Sequence, residues 1–199
     1  MRVLLCGQKA FCAAVFHLIR DRGHEVAAVW APHGDVALAL AEPHVPAIRA
    51  GRLWPELIPD GCDLIVTAHC HEFIGRAARA RSRLGALGYH PSLLPLHKGK
   101  DAVQAAIQAG DRVTGGSVYW LTDEMDGGPI AAQAFCFVRP MDTASELWRR
   151  ELFPLGLRLL NQVLADLERG EVIAVPQDHE IAAAEPPGRS RTGAEVAAG

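Results

Sequence analysis

A strand–helix–strand unit at the N-terminus constrains this chain more than any other feature. Residues 2–6 form a short, unbroken apolar run that stops at Gly7. Phe11, Val15, Leu18 and Ile19 then recur at helical spacing through residues 10–21. Arg22-Gly23 closes that helix, and apolar character returns from Glu25 to Trp30. An apolar run without alternation suits a strand buried on both faces, and a helix between two such strands is the crossover unit of a parallel sheet. The chain is therefore expected to form one α/β domain, Rossmann-like in layout: a twisted, mostly parallel sheet with helices on both faces.

The rest of the chain follows the same alternation. Residues 35–42 and a Pro-rich connection precede a strand at 63–67 and a short helix at 74–81. Residues 85–88 lead into a loop around His90, and a helix over 102–109 ends at Gly110-Asp111. Strands at 115–121 and 130–138 flank a loop around Asp126. Residues 143–167 read as one long helical stretch, capped by Asp142 or Thr143, with Glu146 completing a capping box and Pro154 kinking or dividing it. From about Ala182 the composition turns to Ala, Pro, Gly, Ser and Arg with no apolar period. The expectation is one domain over residues 1–181 and a disordered tail over 182–199.

A net charge of -3 leaves no electrostatic footprint for nucleic acid or an anionic membrane. No run of 18 or more apolar residues is present, so no bilayer span is expected. The first residues read as a strand rather than a signal peptide. Cys6, Cys12, Cys62, Cys70 and Cys136 are odd in number and irregularly spaced, which argues against a disulfide framework and for the cytoplasm.

Two stretches combine a titratable side chain with a backbone that cannot stay regular. His90 sits in Tyr89-His90-Pro91-Ser92-Leu93-Leu94-Pro95, where the prolines forbid a continuing helix or inner strand. Asp126 precedes Gly127-Gly128-Pro129, where the glycines allow torsions that other residues avoid. A His and an Asp on rigid, irregular backbone suit general acid–base chemistry. Alone, a functional His90 stands only slightly above a structural histidine under a proline-rich turn, and Asp126 reads also as an ordinary turn residue; the case rests on the pair.

Other candidates are weaker. Gly7-Gln8-Lys9 follows a strand, but Lys9 and Cys12 stand where a dinucleotide fingerprint needs glycines. His69-Cys70-His71-Glu72 has two His residues on one face if extended, yet no second ligand cluster accompanies them, and a polar loop over the cleft is the favoured reading; no metal is expected. Ser92 lacks the strand–turn setting of a nucleophilic serine. His97, Lys98 and Lys100 read either as a solvated loop or as a contact for an anionic substrate or glutamate tail.

The segment from Tyr89 to Gly99 resembles the HxSLLPxxxG signature of the folate-dependent formyltransferases. The segment from Asp123 to Pro129 resembles their DxxDGGP loop, and the separation of His90 from Asp126 is the family's as well. Glycinamide ribonucleotide and methionyl-tRNA formyltransferases are members. A closer similarity is to the N-terminal hydrolase domain of 10-formyltetrahydrofolate dehydrogenase, shared through the Tyr before His90, Gly7-Gln8, Gly23-His24-Glu25-Val26, Ser117-Val118-Tyr119-Trp120 and Glu151-Leu152-Phe153-Pro154. The resemblance spans roughly residues 1–178.

The resemblance implies His90 and Asp126 as catalytic residues. It implies a folate pocket formed by His69, Cys70, His71, Phe73 and Ile74 with Leu121, Thr122, Asp123, Glu124 and Met125. Ser92, Leu93, Leu94, Lys98 and Gly99 would form the substrate-side loop. The donor would be 10-formyltetrahydrofolate, with tetrahydrofolate as product and a small amine or water as acceptor; a homodimer is left open. One position departs from the pattern. The transferases carry an Asn two residues before the His, where this chain has Gly88, and the hydrolase domain also lacks that Asn. Loss of such an oxyanion donor costs on the order of 10²–10³ in rate. Gly88 therefore keeps hydrolysis and non-catalytic folate binding open beside formyl transfer to an amine.

Overall fold

A computed structural model describes residues 1–41, 45–49, 51–178 and 180–181, so the expected tail at 182–199 lies outside the described residues. Seven strands form one sheet in the order β3-β2-β1-β4-β5-β6-β7. They are β1 (Arg2–Gly7), β2 (Glu25–Ala31), β3 (Ala47–Arg49), β4 (Leu64–Ala68), β5 (Ala86–His90), β6 (Val113–Trp120) and β7 (Ile130–Phe137). The first five run parallel, whereas β6 is antiparallel to β5 and β7 to β6.

The apolar runs have a direct structural cause. Successive side chains of a strand point to opposite faces. Accordingly β1 sends Val3 and Leu5 into one core and Leu4 and Cys6 into the other. The first core is covered by α1 (Lys9–Asp21), α2 (Val36–Ala41) and α6 (Phe153–Glu168), through residues such as Phe11, Phe16, Ile19, Leu159 and Val163. Each such fully buried side chain contributes about 1.5–3 kcal/mol of transfer free energy. The second core is smaller. Trp30, Ile58, Ile74 and Ala78 pack there against Leu4 and Ile65.

Two expectations need correction, and the division expected of the long helix at Pro154 is found. The helix expected over 74–81 is a single turn, α3 (Arg76–Arg79). Gly75 begins it, and the Ser82 hydroxyl, donating to the carbonyls of Arg79 and Gly85, turns the chain away after it. His90 is the last residue of β5 rather than part of a loop, since Pro91 ends the strand immediately after it. The long helix is divided: α5 (Ala144–Leu147), a π-helical turn at Trp148–Leu152, then α6. Pro154 has no N–H to give an i→i−4 bond, and the turn before it widens. The capping box stands as read, with Glu146 N–H donating to the Thr143 hydroxyl oxygen and the Thr143 N–H to the Glu146 carboxylate.

The chain leaves β1 for β2 and β3 on one side and resumes with β4 on the other. Open α/β sheets bind ligands in the crevice beyond the carboxyl ends of strands near such a reversal. Here the ends of β4 and β5, at Ala68 and His90, open onto the cleft described next.

Candidate active site

β5 delivers His90 to the floor of the cleft with its side chain only 8% exposed. The segment beyond it is tightly held. Ser92 donates its hydroxyl to Leu96 O at 2.5 Å, and Ser117 Oγ donates to Ser92 O at 2.7 Å while accepting from Leu94 N–H at 3.1 Å. Gln133 donates to Leu94 O at 2.9 Å, and the Leu94–Pro95 bond is cis. His97, in a left-handed conformation, turns its carbonyl back to His90 Nε2 at 2.8 Å. A carbonyl only accepts, so Nε2 carries the hydrogen and Nδ1 is the ring nitrogen left for chemistry. Nδ1 lies 3.6 Å from Asp126 Oδ2.

Both carboxylate oxygens of Asp126 and its main-chain oxygen are held. Its Oδ1 accepts from the Tyr119 hydroxyl at 2.6 Å, and its Oδ2 accepts from Gly99 N–H at 2.7 Å. The side-chain amide of Gln177 donates to the main-chain oxygens of Asp126 (2.7 Å) and Gly128 (2.8 Å). Asp126 itself takes the left-handed conformation, with φ of 50°. Gly127 and Gly128 do not, so the torsional role expected of them falls to the aspartate. What the glycines supply is space: a Cβ at Gly128 would stand 1.7 Å from Trp120 O.

A cleft of about 420 Å³ surrounds the pair, within the size range of small-molecule sites. One wall is the segment His69–Ile74, the other is Leu121, Thr122, Glu124, Met125 and Asp126, and Gly99 lies at the rim. Asp123, expected in the same wall, turns instead to Arg76 and Arg79, whose guanidinium groups hold its carboxyl below the usual range. Ser92, Leu93, Leu94 and Lys98 do not line the cleft. Ser92 is fully buried, Leu94 is buried, and Lys98 pairs with Glu124 at 2.9 Å. These four residues shape the loop that presents the His97 carbonyl and the Gly99 amide.

Burial, with Lys9 and His71 nearby, lowers the His69 pKa, and burial pushes the Cys70 thiol up to about 11. Among the described residues, no group of three or more His, Cys, Asp or Glu side chains is placed to hold a metal ion. His69 and His71 instead stack edge to face at 5.2 Å.

Several lining residues escaped the sequence reading, among them Thr67, Ala102, Gln104 and Trp148. Trp148 reaches the site from the π-helical turn, and only Pro154 hinted at that irregularity. Gln177 had no local signal at all. Gly88 has an ordinary strand conformation within β5. A Cβ there would meet Thr67 Oγ1 at 2.9 Å and Leu121 Cδ2 and Tyr119 Cε1 at 3.1 Å. The absent side chain therefore leaves no open space, because its neighbours fill it.

The chain is similar in sequence and in fold to known proteins. A family model described as formyl transferase matches residues 53–163. The chain is 33% identical over 197 residues to the cytosolic 10-formyltetrahydrofolate dehydrogenase of Homo sapiens, covering 90% of this chain and 22% of that protein. It is 34% identical over 199 residues to the methionyl-tRNA formyltransferase of Chloroflexus aurantiacus, covering 92% and 64%. The chain thus spans about a fifth of the length of the dehydrogenases it matches. Glycinamide ribonucleotide transformylase 1 from Symbiobacterium toebii has the same fold, with a TM-score of 0.75 at 23% identity over 88% of this chain and 94% of that one. HypX from Aquifex aeolicus, solved in complex with tetrahydrofolic acid, shares the fold with a TM-score of 0.62 at 20% identity over 89% and 28%. The chain belongs to the formyl transferase family.

Proposed function

We propose that the chain is a folate-dependent enzyme that binds 10-formyltetrahydrofolate in this cleft and moves its formyl group to a small amine. The observation that carries the reading is the approach of His90 Nδ1 to Asp126 Oδ2, 3.6 Å apart at the inner end of the cleft, with both side chains buried and braced. The lining fits a flat, heteroaromatic ligand: Phe73, Ile74 and Leu121 are apolar, with the polar Thr122 and Glu124 beside them.

When bound, 10-formyltetrahydrofolate supplies an N-formyl carbonyl whose oxygen gains negative charge as the acceptor attacks. His90 answers that charge with a hydrogen bond. Because Nε2 is committed to the His97 carbonyl, the donor is Nδ1–H and the working form of the ring is the imidazolium. Asp126 balances that positive charge and takes the proton lost by the attacking amine, directly or through water. The departing N10 takes up a proton in turn.

Hydrolysis to tetrahydrofolate and formate is the second reading, and Gly88 favours it because position 88 brings no side-chain amide to the oxyanion. Following the absorbance of 10-formyltetrahydrofolate with protein alone, and then with a panel of amine metabolites, separates the readings. Turnover only with an amine is expected. Turnover without one supports hydrolysis, and binding without turnover in either arm would overturn both.

A further inference from the structure

We infer that Tyr119 is a positioning residue for Asp126, and that Gly88 is the strand position that makes room for it. This rests on the reading of His90 and Asp126 as the reacting pair and adds to it a second-strand residue that fixes the aspartate.

Gly88 of β5 and Tyr119 of β6 are direct partners in the antiparallel register. Side chains of opposed residues lie on one face of a sheet. With no side chain at Gly88, the Tyr119 ring leans into that place, close enough that a Cβ there would come 3.1 Å from Cε1. The ring is 7% exposed, and its hydroxyl ends 2.6 Å from Asp126 Oδ1. A carboxylate only accepts, so the phenol donates, and the proton stays on it because burial first and the Asp126 charge second raise its pKa.

The consequence is geometric. Tyr119 on Oδ1 and the Gly99 amide on Oδ2 fix the rotation of the carboxylate from two sides. Oδ2 is then the oxygen that faces His90 and stands ready to take the acceptor's proton. The groups that act on this carboxylate are His90 from β5, Tyr119 from β6, the Gly99 amide, and Gln177 through the main-chain oxygen. Glu72, Lys100, Asp101 and Glu124 are the charged residues lining the same cleft, beside the Cys70 thiol.

The test is Tyr119→Phe, which keeps the ring and removes one donor. Turnover of 10-formyltetrahydrofolate should fall about tenfold with KM within about twofold of the parent, because the step lost is proton transfer rather than binding. Loss of the donor to Oδ1 should also shift the carboxyl-carbon NMR resonance of Asp126 at a fixed neutral pH, assigned by subtraction with Asp126→Asn, which reads the bond without turnover. An Asp126 carboxyl resonance unmoved in the Phe variant would overturn the inference, as would a fall in turnover carried by KM alone, which marks packing or binding. If the parent turns over no formyl donor, the functional reading fails, and the carboxyl resonance still decides the role of Tyr119.

Discussion

The Gln177 side-chain amide donates to the main-chain oxygen of Asp126 at 2.7 Å, tying residues 171–177 to the aspartate loop. The same stretch adds an antiparallel bridge between Ile130 and Val175, and Ile173 O accepts from the Trp120 indole N–H at 2.8 Å. Residues 171–177 thus brace the loop from outside. Gln177 is buried, so its loss leaves two carbonyls short of a donor at about 1–3 kcal/mol. Gln177→Ala should lower the melting temperature by roughly 2–10 °C and reduce turnover by relaxing the left-handed Asp126. A chain ending at residue 181 keeps all of these contacts and should melt with the parent. Thermal unfolding of the two variants checks both halves, and an unchanged melting temperature for Gln177→Ala would remove the bracing role.

His90→Ala and Asp126→Ala should each reduce turnover about 10²-fold or more while leaving the fold intact. Neither residue belongs to the apolar clusters that hold the two cores. The double variant should lose little beyond either single one, because a charge pair that works as a unit is non-additive. Steady-state rates on proteins with parental circular dichroism decide this, and near-parental turnover by either single variant would remove the pair from the mechanism.

The parallel sheet was legible because β1 and β4 are apolar at successive positions, which only burial on both faces explains. The proposed reacting pair stood out because each member adjoins Pro or Gly residues that break regular structure. The braces were not. Tyr119 reads locally as an ordinary strand residue, and its role comes from register with Gly88, a relation between strands far apart in sequence. The glycine pair misled in one respect: it signalled strained torsions, but the strain sits on Asp126 and the glycines relieve crowding against Trp120 and Glu124. Pairwise distance, rather than local torsion, decided each of these points.

A stability prediction follows from the entry to α5. Asp142 accepts from both Arg150 guanidinium nitrogens, at 2.5 and 2.6 Å, and from Arg139 N–H at 2.8 Å. Arg150 foremost, and then the Arg139 amide, hold its carboxyl down to about 2. A depressed folded-state pKa contributes stability that is fully present above the unfolded value, about 3.9, and is lost as pH falls through the folded one. The melting temperature should therefore drop between about pH 4 and 2. Asp63, Asp123 and Glu146 are also held low and contribute to the same fall, so the informative quantity is the difference between parent and Asp142→Asn. The variant should melt lower at neutral pH and show a shallower decline in acid. Parallel curves for the two proteins would show that the Arg150 pair does not couple to folding.

Gly88→Asn tests how this site manages without the amide that its resemblance would place beside His90. Torsion is no obstacle, since Gly88 sits in ordinary strand conformation. Space is. The new Cβ would stand 2.9 Å from Thr67 Oγ1, whose hydroxyl donates to Leu87 O at 3.1 Å, and 3.1 Å from Leu121 and Tyr119. Overpacking of this kind costs about 1–3 kcal/mol. Part of the displacement falls on Tyr119 and so loosens Asp126. The single variant should fold, melt roughly 2–10 °C lower and lose turnover despite gaining a donor. Adding Thr67→Ala removes the shortest of the three contacts. The double variant should recover turnover relative to Gly88→Asn and direct more formyl to an amine than to water, because the amide can then reach the oxyanion. Melting curves and product partition measured on the three proteins decide it. A Gly88→Asn protein as stable as the parent and more active would show that crowding does not govern this position, and that the amide is accommodated without disturbing the Tyr119–Asp126 bond.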